Sequence, residues 1–513
     1  MTPWWREAVV YQIYPRSFLD TNGDGVGDLN GITAKLDYLE WLGVDCLWLT
    51  PIYPSPMADF SYDVANYTDV EPLFGDLAIF DHLLAAAHGR GMKVILDWVP
   101  NHTSSHHPWF VDAVSSPSSA FRDFYIWKKG GADGTPPNNW VRAWVDAPAW
   151  TYDDTSGEWY LHCFLAEQPD LNWANPAVRA AMAETLRFWL DRGVDGFRMD
   201  VIHLLGKDPA FADDEEELKG LGHVVLNNRP ETHPYLREIR EVVKHYDGDP
   251  LIVGEVYLLD PVHVAEHYGN GDELDLAFNF QPLFTPWRAP AWKDTITAAY
   301  ATHDPRHAWP TWVLNNHDAS RVVSRLKSIE RAKVAAVLLC TLRGTPFLYQ
   351  GEELGLENAV LGDGEVIDPG FRDGARAPMP WGSGPGHGWP VAPWMTFPPN
   401  AATTNVEVER GEPTSMLTLY RDLIGVRKES TALRRGSFSW VDAPSELLVY
   451  RRSEGNDVRL IVCNFSHDSV GFSVDGRLDF ATGRDHHEGF DGIVRGDEAL
   501  IFSIPARVSS DLE

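Results

Sequence analysis

Eight short apolar runs recur along the chain, and most are followed by loop residues and then by a helical pattern. The runs are almost continuously apolar rather than alternating, which is typical of parallel strands covered on both faces. They span residues 9–14, 44–49, 93–99, 193–199, 251–255, 274–280, 311–316 and 345–350. Eight strands that alternate with helices predict an α/β fold, the (β/α)8 TIM barrel. An open doubly wound sheet is the alternative, which is weakened because no glycine-rich phosphate loop follows the first run.

Helical patterns separate these runs at residues 29–42, 77–90, 175–192, 234–246 and 329–342. The clearest helix start is Asn175-Pro176, which offers an N-cap followed by proline at the first helical position. The third of these patterns therefore has a well-defined beginning.

Two connections are too long to be simple loops of a barrel. Residues 101–174 contain strand-like pieces and predict an inserted subdomain, whereas the Gly/Pro-rich stretch at about 352–410 predicts a substrate-covering loop. Alternating apolar segments from about residue 430 predict antiparallel strands. We therefore expect a barrel formed by residues 1–100 and 175–429, a subdomain B inserted after the third strand at 101–174, and a C-terminal antiparallel β-sandwich domain at 430–513.

The charge balance excludes several partner classes. Lys+Arg total 43 and Asp+Glu total 74, a formal net charge of −31 over 513 residues. Such a charge repels nucleic acid and anionic membranes, and it argues against a phosphorylated substrate. A small neutral ligand remains possible.

The cysteines indicate the redox compartment. Cys46, Cys163, Cys340 and Cys463 lie far apart and form no CxxC pair, so reduced thiols are expected rather than a disulfide framework or a zinc site. No apolar stretch reaches the length of a membrane span, and the N-terminus has no apolar signal core. We expect a cytoplasmic, soluble protein, a monomer or homodimer, without an organic cofactor.

Acidic residues recur at the carboxyl ends of four proposed strands. They are Asp97, Asp200, Glu255 and Asp318. In a barrel these ends converge on one face, where active sites lie. Because like charges that are brought together raise at least one carboxyl pKa, such a cluster can supply a general acid.

The segments around these acids resemble the conserved regions of the α-amylase family of glycoside hydrolases. They appear in the family's order as DWVPNH at 97–102, GFRMD at 196–200, GEV at 254–256 and NNHD at 315–318. QPDLN at 168–172 is similar to the signature of the oligo-1,6-glucosidase branch. The resemblance covers nearly the whole chain and implies a retaining enzyme that cleaves α-linked glucose.

The resemblance assigns the catalytic roles. Asp200 would attack the anomeric carbon, and Glu255 would protonate the leaving oxygen and later activate water, as in the retaining geometry. Arg198 would keep Asp200 ionised through its nearby charge. Asp318 would bind the sugar 2- and 3-hydroxyls and favour the distorted transition state.

The resemblance also implies the walls of a sugar pocket. His102 and His317 would donate hydrogen bonds to sugar hydroxyls, and Tyr62 would form a stacking platform. Asp63 would bind the 4- and 6-hydroxyls of a terminal glucose and pair with Arg376, which closes the pocket and favours exo action. The family usually has glycine where this chain has Ser61. Further candidates for the pocket wall are Phe164 and Phe280.

Residues 20–28 alternate oxygen donors with glycines, a pattern that suits a hard cation. The segment is not a full EF-hand, because Gly31 stands where the twelfth-position glutamate would be. The resemblance implies a structural Ca2+, with a turn that binds no metal as the alternative. Its ligands would be the side chains of Asp20, Asn22, Asp24 and Asp28 and the carbonyl of Val26.

Val201 follows the proposed nucleophile, and in the resembling branch valine at this position tends to accompany α-1,6 cleavage. We therefore expect an exo-acting α-glucosidase of short, neutral, isomaltose-type oligosaccharides. An α-1,4-preferring glucosidase and a transglucosylase or trehalose- or sucrose-acting isomerase would share the same catalytic residues. A non-catalytic binding or transporter accessory protein should have lost a catalytic carboxyl, and a long-chain endo-amylase would need an open cleft.

Overall fold

The computed structural model describes residues 2–258, 260–362, 364, 366–484 and 489–505. Eight strands form one sheet in which every hydrogen-bonded pair is parallel. In sheet order they are β10 (Thr311–Val313), β11 (Thr345–Tyr349), β1 (Val10–Ile13), β2 (Cys46–Leu49), β3 (Lys93–Trp98), β7 (Gly196–Met199), β8 (Leu251–Gly254) and β9 (Leu276–Ala277). Each lies inside one of the eight apolar runs, and the predicted (β/α)8 barrel is confirmed.

The first and last strands of this order, β10 and β9, meet through a side chain. The Thr311 hydroxyl donates to the carbonyl oxygen of Ala277 at 3.0 Å and accepts from the amide of Asn279 at 3.0 Å. The strands themselves are buried over most of their length, as parallel strands inside a ring of helices must be.

Fifteen α-helices of the described residues connect or cover the strands. They are α1 (Leu29–Ala34), α2 (Leu36–Leu42), α3 (Leu77–His88), α4 (Pro108–Ser115), α5 (Pro176–Asp191), α6 (His223–Leu226), α7 (Thr232–Lys244), α8 (Pro261–Glu266), α9 (Gln281–Phe284), α10 (Ala289–His303), α11 (Val322–Leu326), α12 (Ile329–Thr341), α13 (Val406–Arg410), α14 (Met416–Glu429) and α15 (Thr431–Arg435). Asn175 caps α5 as predicted, because its side chain accepts a hydrogen bond from the amide of Ala177.

The predicted single helix at residues 29–42 is wrong in one respect. It is divided into α1 and α2 at Lys35, whose φ of −110° and ψ of 7° lie outside the α region. The Lys35 ammonium group instead lies 4.3 Å from the centre of the Trp381 ring.

Three antiparallel sheets of the described residues lie outside the barrel. Between β3 and β7 stand β4 (Trp127–Lys128), β5 (Trp150–Asp153) and β6 (Glu158–Leu161), which form a three-stranded sheet. After the barrel come β12 (Ser437–Trp440), β13 (Leu447–Glu454), β14 (Asp457–Asn464), β15 (Val470–Gly471), β16 (Arg477–Ala481), β17 (Ile493–Val494) and β18 (Ala499–Ser503). The C-terminal antiparallel β domain is therefore confirmed, as a five-stranded and a two-stranded sheet.

All four cysteines are buried and unpaired. Of the helices in the described residues, none combines the length and the apolar character that crossing a membrane requires.

Candidate active site

A cavity of about 310 Å3 opens beyond the carboxyl ends of the barrel strands. Asp200 follows β7 directly, Glu255 follows β8 directly, and Asp318 lies five residues after β10. All three line the cavity, so loops that are far apart in the sequence bring the predicted acids to one place. The other predicted residues that line it are Tyr62, His102, Phe164, Val201 and His317.

A single guanidinium group holds the two proposed catalytic acids. Arg198 Nη1 donates to Asp200 Oδ1 at 2.7 Å, and Nη2 donates to Glu255 Oε2. Arg198 Nη1 also lies 2.7 Å from Asp97 Oδ1, and the Arg198 side chain is only 2% exposed. Since one planar group bonds both acids, their carboxylates share a common space inside the cavity.

This cluster retains a proton more readily than separate carboxylates would. Burial raises the pKa of Asp200, the Arg198 charge lowers it, and the nearby Glu255 and Asp97 charges raise it again, with a net shift well above its ordinary value. Burial likewise raises the pKa of Asp97 to about 6 against the opposing charge of Arg198. Burial and mutual repulsion therefore favour the protonated forms of Asp200 and Asp97, and the Arg198 charge opposes this shift at both.

His317 is held as a neutral donor. Burial lowers its pKa to about 3. Gln12 Nε2 donates to His317 Nδ1 at 2.7 Å, which leaves the proton on Nε2, 2.8 Å from the Tyr62 hydroxyl. The Tyr62 and His317 rings are stacked, with centroids 5.4 Å apart and planes inclined by 2°.

His102 is positioned by an amide that also holds an acid. Gln168 Nε2 lies 3.1 Å from His102 Nε2 and 3.0 Å from Asp59 Oδ2. Burial lowers the pKa of His102 to about 4, so the ring is neutral. The Phe164 ring packs on it at 5.2 Å.

The predicted pair between Asp63 and Arg376 does not form. The Asp63 carboxylate is fully buried and accepts from the Ser55 hydroxyl at 2.7 Å and from the amides of Ala58 and Asp59 at 3.0 Å each. It is absent from the cavity lining. Asp63 therefore shapes the loop, because its oxygens are used by that loop's own donors.

The pair that reaches the cavity lies four residues earlier in each segment. Arg372 Nη2 donates to Asp59 Oδ1 at 2.5 Å, and Arg372 Nη1 donates to Asp318 Oδ1 at 3.1 Å. Asp59, Asp318 and Arg372 all line the cavity. Arg376 lies behind them, with Nη2 3.1 Å from Asp318 Oδ1 and Nη1 3.1 Å from Asp368 Oδ1. The closure of the pocket thus depends on Asp59 and Arg372.

Comparisons with known proteins agree with this geometry. Residues 12–436 match the model of the α-amylase catalytic domain. A probable α-glucosidase of Rhizobium meliloti (strain 1021) is 41% identical over 91% of this chain and 90% of that protein, and an oligo-1,6-glucosidase of Parageobacillus thermoglucosidasius is 37% identical over 93% of each.

The chain belongs to the α-amylase family of glycoside hydrolases. Among solved structures, the trehalulose synthase of Pseudomonas mesoacidophila MX-45 superposes with a TM-score of 0.91 at 33% identity, over 98% of this chain and all of that one. An α-glucosyl transfer enzyme superposes with a TM-score of 0.90 at 37% identity, over 98% of this chain and 99% of that one.

Two backbone positions carry the marks of this α-amylase-family site. Ser61 has a φ of +84°, so it occupies the left-handed conformation that favours the glycine usual at this position. Val201 has a φ of +35°, which is a strained conformation for a β-branched residue. Val201 lies next to the proposed nucleophile, and its amide is 3.3 Å from Glu255 Oε2.

Phe280 does not line the cavity of this α-amylase-family protein, contrary to expectation. It stacks on Phe278 at 5.5 Å and lies 5.9 Å from Tyr257, which does line the cavity. The reason is that Phe280 packs with the barrel side chains beneath the cavity.

Sequence reasoning missed several contacts of this α-amylase-family site, namely Gln12, Asp59, Arg372, Trp144 and Tyr257. Gln12 carried a usable signal, because it is an amide side chain inside an apolar strand run. Asp59 and Arg372 lie four positions before the predicted residues Asp63 and Arg376, and the sequence does not show which member of each pair reaches the cavity.

The loop at residues 20–28 closes on itself through its own donors. Asp20 accepts from the amides of Asn22, Gly23 and Gly25, and Asp28 accepts from Thr21. Among the described residues, no group of three or more His, Cys, Asp or Glu side chains converges in a metal-binding arrangement. The donor chemistry of the loop, carboxylate, amide and carbonyl oxygens at alternate positions, fits a hard cation such as Ca2+.

Proposed function

We propose that this glycoside hydrolase is a retaining, exo-acting α-glucosidase that releases terminal α-linked glucose from short oligosaccharides, with a preference for α-1,6 linkages. The observation that carries the proposal is the Arg198 guanidinium, which holds Asp200 and Glu255 in one closed pocket. The names of the relatives, an oligo-1,6-glucosidase and a probable α-glucosidase, support the same reaction.

The reaction has two displacement steps. Asp200 attacks the anomeric carbon while Glu255 gives its proton to the departing oxygen, which leaves glucose covalently bound to Asp200. Glu255, now a carboxylate, takes a proton from water, and the water oxygen displaces Asp200 at the same carbon. Two inversions retain the α configuration. Arg198 stabilises whichever of the two carboxylates is charged at each stage.

Exo action follows from the closed end of the pocket. Asp59 and Arg372 form an ion pair there, and Arg372 forms a second ion pair with Asp318. Burial opposes ionisation of Asp318, but the neighbouring His317 ring and the charges of Arg372 and Arg376 bring the net shift of its pKa below the ordinary value, so it accepts sugar hydroxyl donors as a carboxylate. A glucan chain could not pass through this barrier, so a single terminal glucose is bound.

The α-1,6 preference rests on Val201, which lines the pocket between the two catalytic acids. One apolar contact changes selectivity by about 1–3 kcal/mol. Initial rates on isomaltose and maltose test this preference, with NMR detection of the first anomer released. We expect α-glucose first and a higher kcat/KM for isomaltose. Release of β-glucose would contradict the retaining mechanism, and a higher kcat/KM for maltose would contradict the role of Val201.

A second candidate is glucosyl transfer or sucrose isomerisation, because the structural neighbours include an α-glucosyl transfer enzyme and a trehalulose synthase. These reactions share the covalent intermediate and differ in what displaces it. Incubation with sucrose at high concentration separates the two: hydrolysis gives glucose and fructose, whereas isomerisation gives a new disaccharide. We propose hydrolysis as the main outcome.

We also propose that the loop at residues 20–28 binds a structural Ca2+ through the side chains of Asp20, Asn22, Asp24 and Asp28 and the Val26 carbonyl.

A cytoplasmic location is proposed because the four cysteines are unpaired and buried, as is usual for proteins of a reducing compartment. The catalytic steps need no metal.

A further inference from the structure

We propose that the mouth of the active-site pocket selects apolar aromatic groups, so that the glucosyl-enzyme transfers glucose to benzyl alcohol in preference to a second sugar. This inference rests on the proposed glucosidase function, since it concerns the group that leaves or attacks on the aglycone side. The acceptors of this class are primary alcohols whose CH2OH group is bonded to an aromatic ring.

The residues that line the cavity divide into two sets. The polar side chains, with the exception of Tyr257, belong to the glucose end described above. The remaining lining residues are apolar. Phe164 packs on His102 and Val201 follows Asp200, so both belong to the glucose end, and the other large apolar side chains are Trp144, Leu221, Val224 and Val225. Because glucose occupies the closed end, the aglycone must point past these apolar residues toward solvent.

The apolar set continues to the outer rim. Leu221 is 52% exposed and Tyr257 is 40% exposed, although both line the cavity. Phe371 stands between two lining residues, Gly370 and Arg372, and is 75% exposed. Exposed apolar side chains at the rim of a site gain about 25 cal/mol per Å2 when a ligand covers them.

Trp144 forms a fixed aromatic wall where the two sets meet. The Arg372 guanidinium lies 4.4 Å from the Trp144 ring centre, and the Phe164 ring packs at 5.4 Å. Trp144 has a φ of +69°, a left-handed conformation that is uncommon outside glycine. This strained backbone places the indole against the ion pair that closes the glucose end.

A second sugar would find few hydrogen-bond partners in this mouth. A hydroxyl that is buried without a partner loses its hydrogen bonds to water, and of the lining side chains on the aglycone side, Tyr257 carries a hydroxyl and Trp144 an indole N–H. A benzyl group has no hydroxyls to satisfy. Its alcohol oxygen attacks the anomeric carbon as the bond to Asp200 breaks, and its proton passes to Glu255, so the product is benzyl α-glucoside.

The test uses α-glucosyl fluoride as the glucose donor. Its leaving group is fluoride and not a sugar, so the donor releases no additional sugar that could compete as an acceptor. Benzyl alcohol and glucose are supplied at equal concentration, so that two primary alcohols compete for one intermediate. Chromatography measures benzyl α-glucoside and glucose disaccharides, and an electrode measures fluoride. We expect benzyl α-glucoside to exceed the disaccharides by about tenfold or more, equivalent to one favourable contact of about 1.4 kcal/mol. Equal yields, or more disaccharide, would overturn the proposal.

Two variants link the preference to the mouth. Val225→Thr keeps the side-chain shape and Leu221→Asn alters an exposed position, so neither should disturb folding. Each should lower the ratio of benzyl glucoside to disaccharide several-fold. Fluoride release, measured in the same reactions, gives the amount of glucosyl-enzyme that each variant forms. Val262→Thr, at an exposed position of α8 outside the cavity lining, is the matched control and should keep the wild-type ratio.

The two levels of the proposal fail differently. If the wild-type protein releases no fluoride and hydrolyses no α-glucoside, the glucosidase function is wrong. If fluoride is released but Val225→Thr and Leu221→Asn both keep the wild-type acceptor ratio, only the apolar mouth is wrong.

Discussion

Replacing Asp59 with asparagine, beside the same change at Asp63, tests which acid holds the terminal glucose. Both acids are buried, and they lie four residues apart on one loop. The Asp59 carboxylate pairs with Arg372 at 2.5 Å, accepts from Gln168 at 3.0 Å and lines the cavity. The Asp63 oxygens are used by donors of the loop itself, so the two variants should have opposite effects.

The magnitudes follow from these contacts. A hydrogen bond to a charged group contributes about 1.5–3 kcal/mol, and Asp59→Asn weakens one to Arg372 and one to the sugar. A total of about 3–4 kcal/mol lowers kcat/KM roughly 10²- to 10³-fold. In Asp63→Asn, an amide NH2 faces one of three donors, which costs about 1–3 kcal/mol of folding stability and leaves kcat/KM within about threefold.

Initial rates on isomaltose give kcat/KM for each variant, and thermal unfolding gives its Tm. We expect Asp59→Asn to have a much lower kcat/KM and a nearly unchanged Tm. We expect Asp63→Asn to have a lower Tm and a nearly unchanged kcat/KM. Asp442→Asn, at an exposed position, is the matched control for the same chemical change. If Asp63→Asn loses activity at an unchanged Tm while Asp59→Asn remains active, the placement of the glucose end is wrong.

Three further predictions use other parts of the chain. Glu255→Gln should stop isomaltose hydrolysis but still release fluoride from α-glucosyl fluoride in the first turnover, because fluoride leaves without a proton; an active variant on isomaltose would contradict the acid role. Burial raises the pKa of Glu409 to about 8, so the folded state keeps a proton that the unfolded state loses at lower pH, and stability should fall as the pH rises from about 5 to about 8. Glu409→Gln should therefore show a flatter dependence of Tm on pH than the wild type, and equal slopes would exclude this carboxyl as the cause. Chelation by EGTA should lower the Tm and added Ca2+ should restore it, whereas Asp24→Ala should abolish the response; a Tm unaffected by EGTA would contradict the calcium proposal.

The barrel could be predicted because burial determines it strand by strand. A parallel strand covered on both faces must be apolar along its length, and this leaves a signal in every run that needs no knowledge of the other strands. The division of the helix at Lys35 could not be predicted, because the apolar periodicity continues through residues 29–42 and the contact of Lys35 with the distant Trp381 exists only in the fold.

The cluster of acids at the strand ends could be predicted for a related reason, whereas the closed end of the pocket could not. The position of a strand end is a local property, so Asp200 and Glu255 could be assigned to one rim before their contacts were known. The choice between Asp63 and Asp59 depends on where a loop turns and which donors it turns toward. The Ser55 hydroxyl and two amides of the same loop occupy Asp63, and sequence spacing alone does not reveal this.

Hydrolysis and transfer in such a site depend on how the aglycone side is lined, because the glucose end is the same for both. The buried charges at the closed end compensate one another within the fold through ion pairs of Arg372 and Arg376 with Asp59 and Asp318. At the mouth, Leu221 and the neighbouring Phe371 expose apolar surface. We therefore expect a change at Val225, such as Val225→Thr, to alter the ratio of the two acceptor products, since Val225 lines the cavity outside the cluster of charges at its closed end.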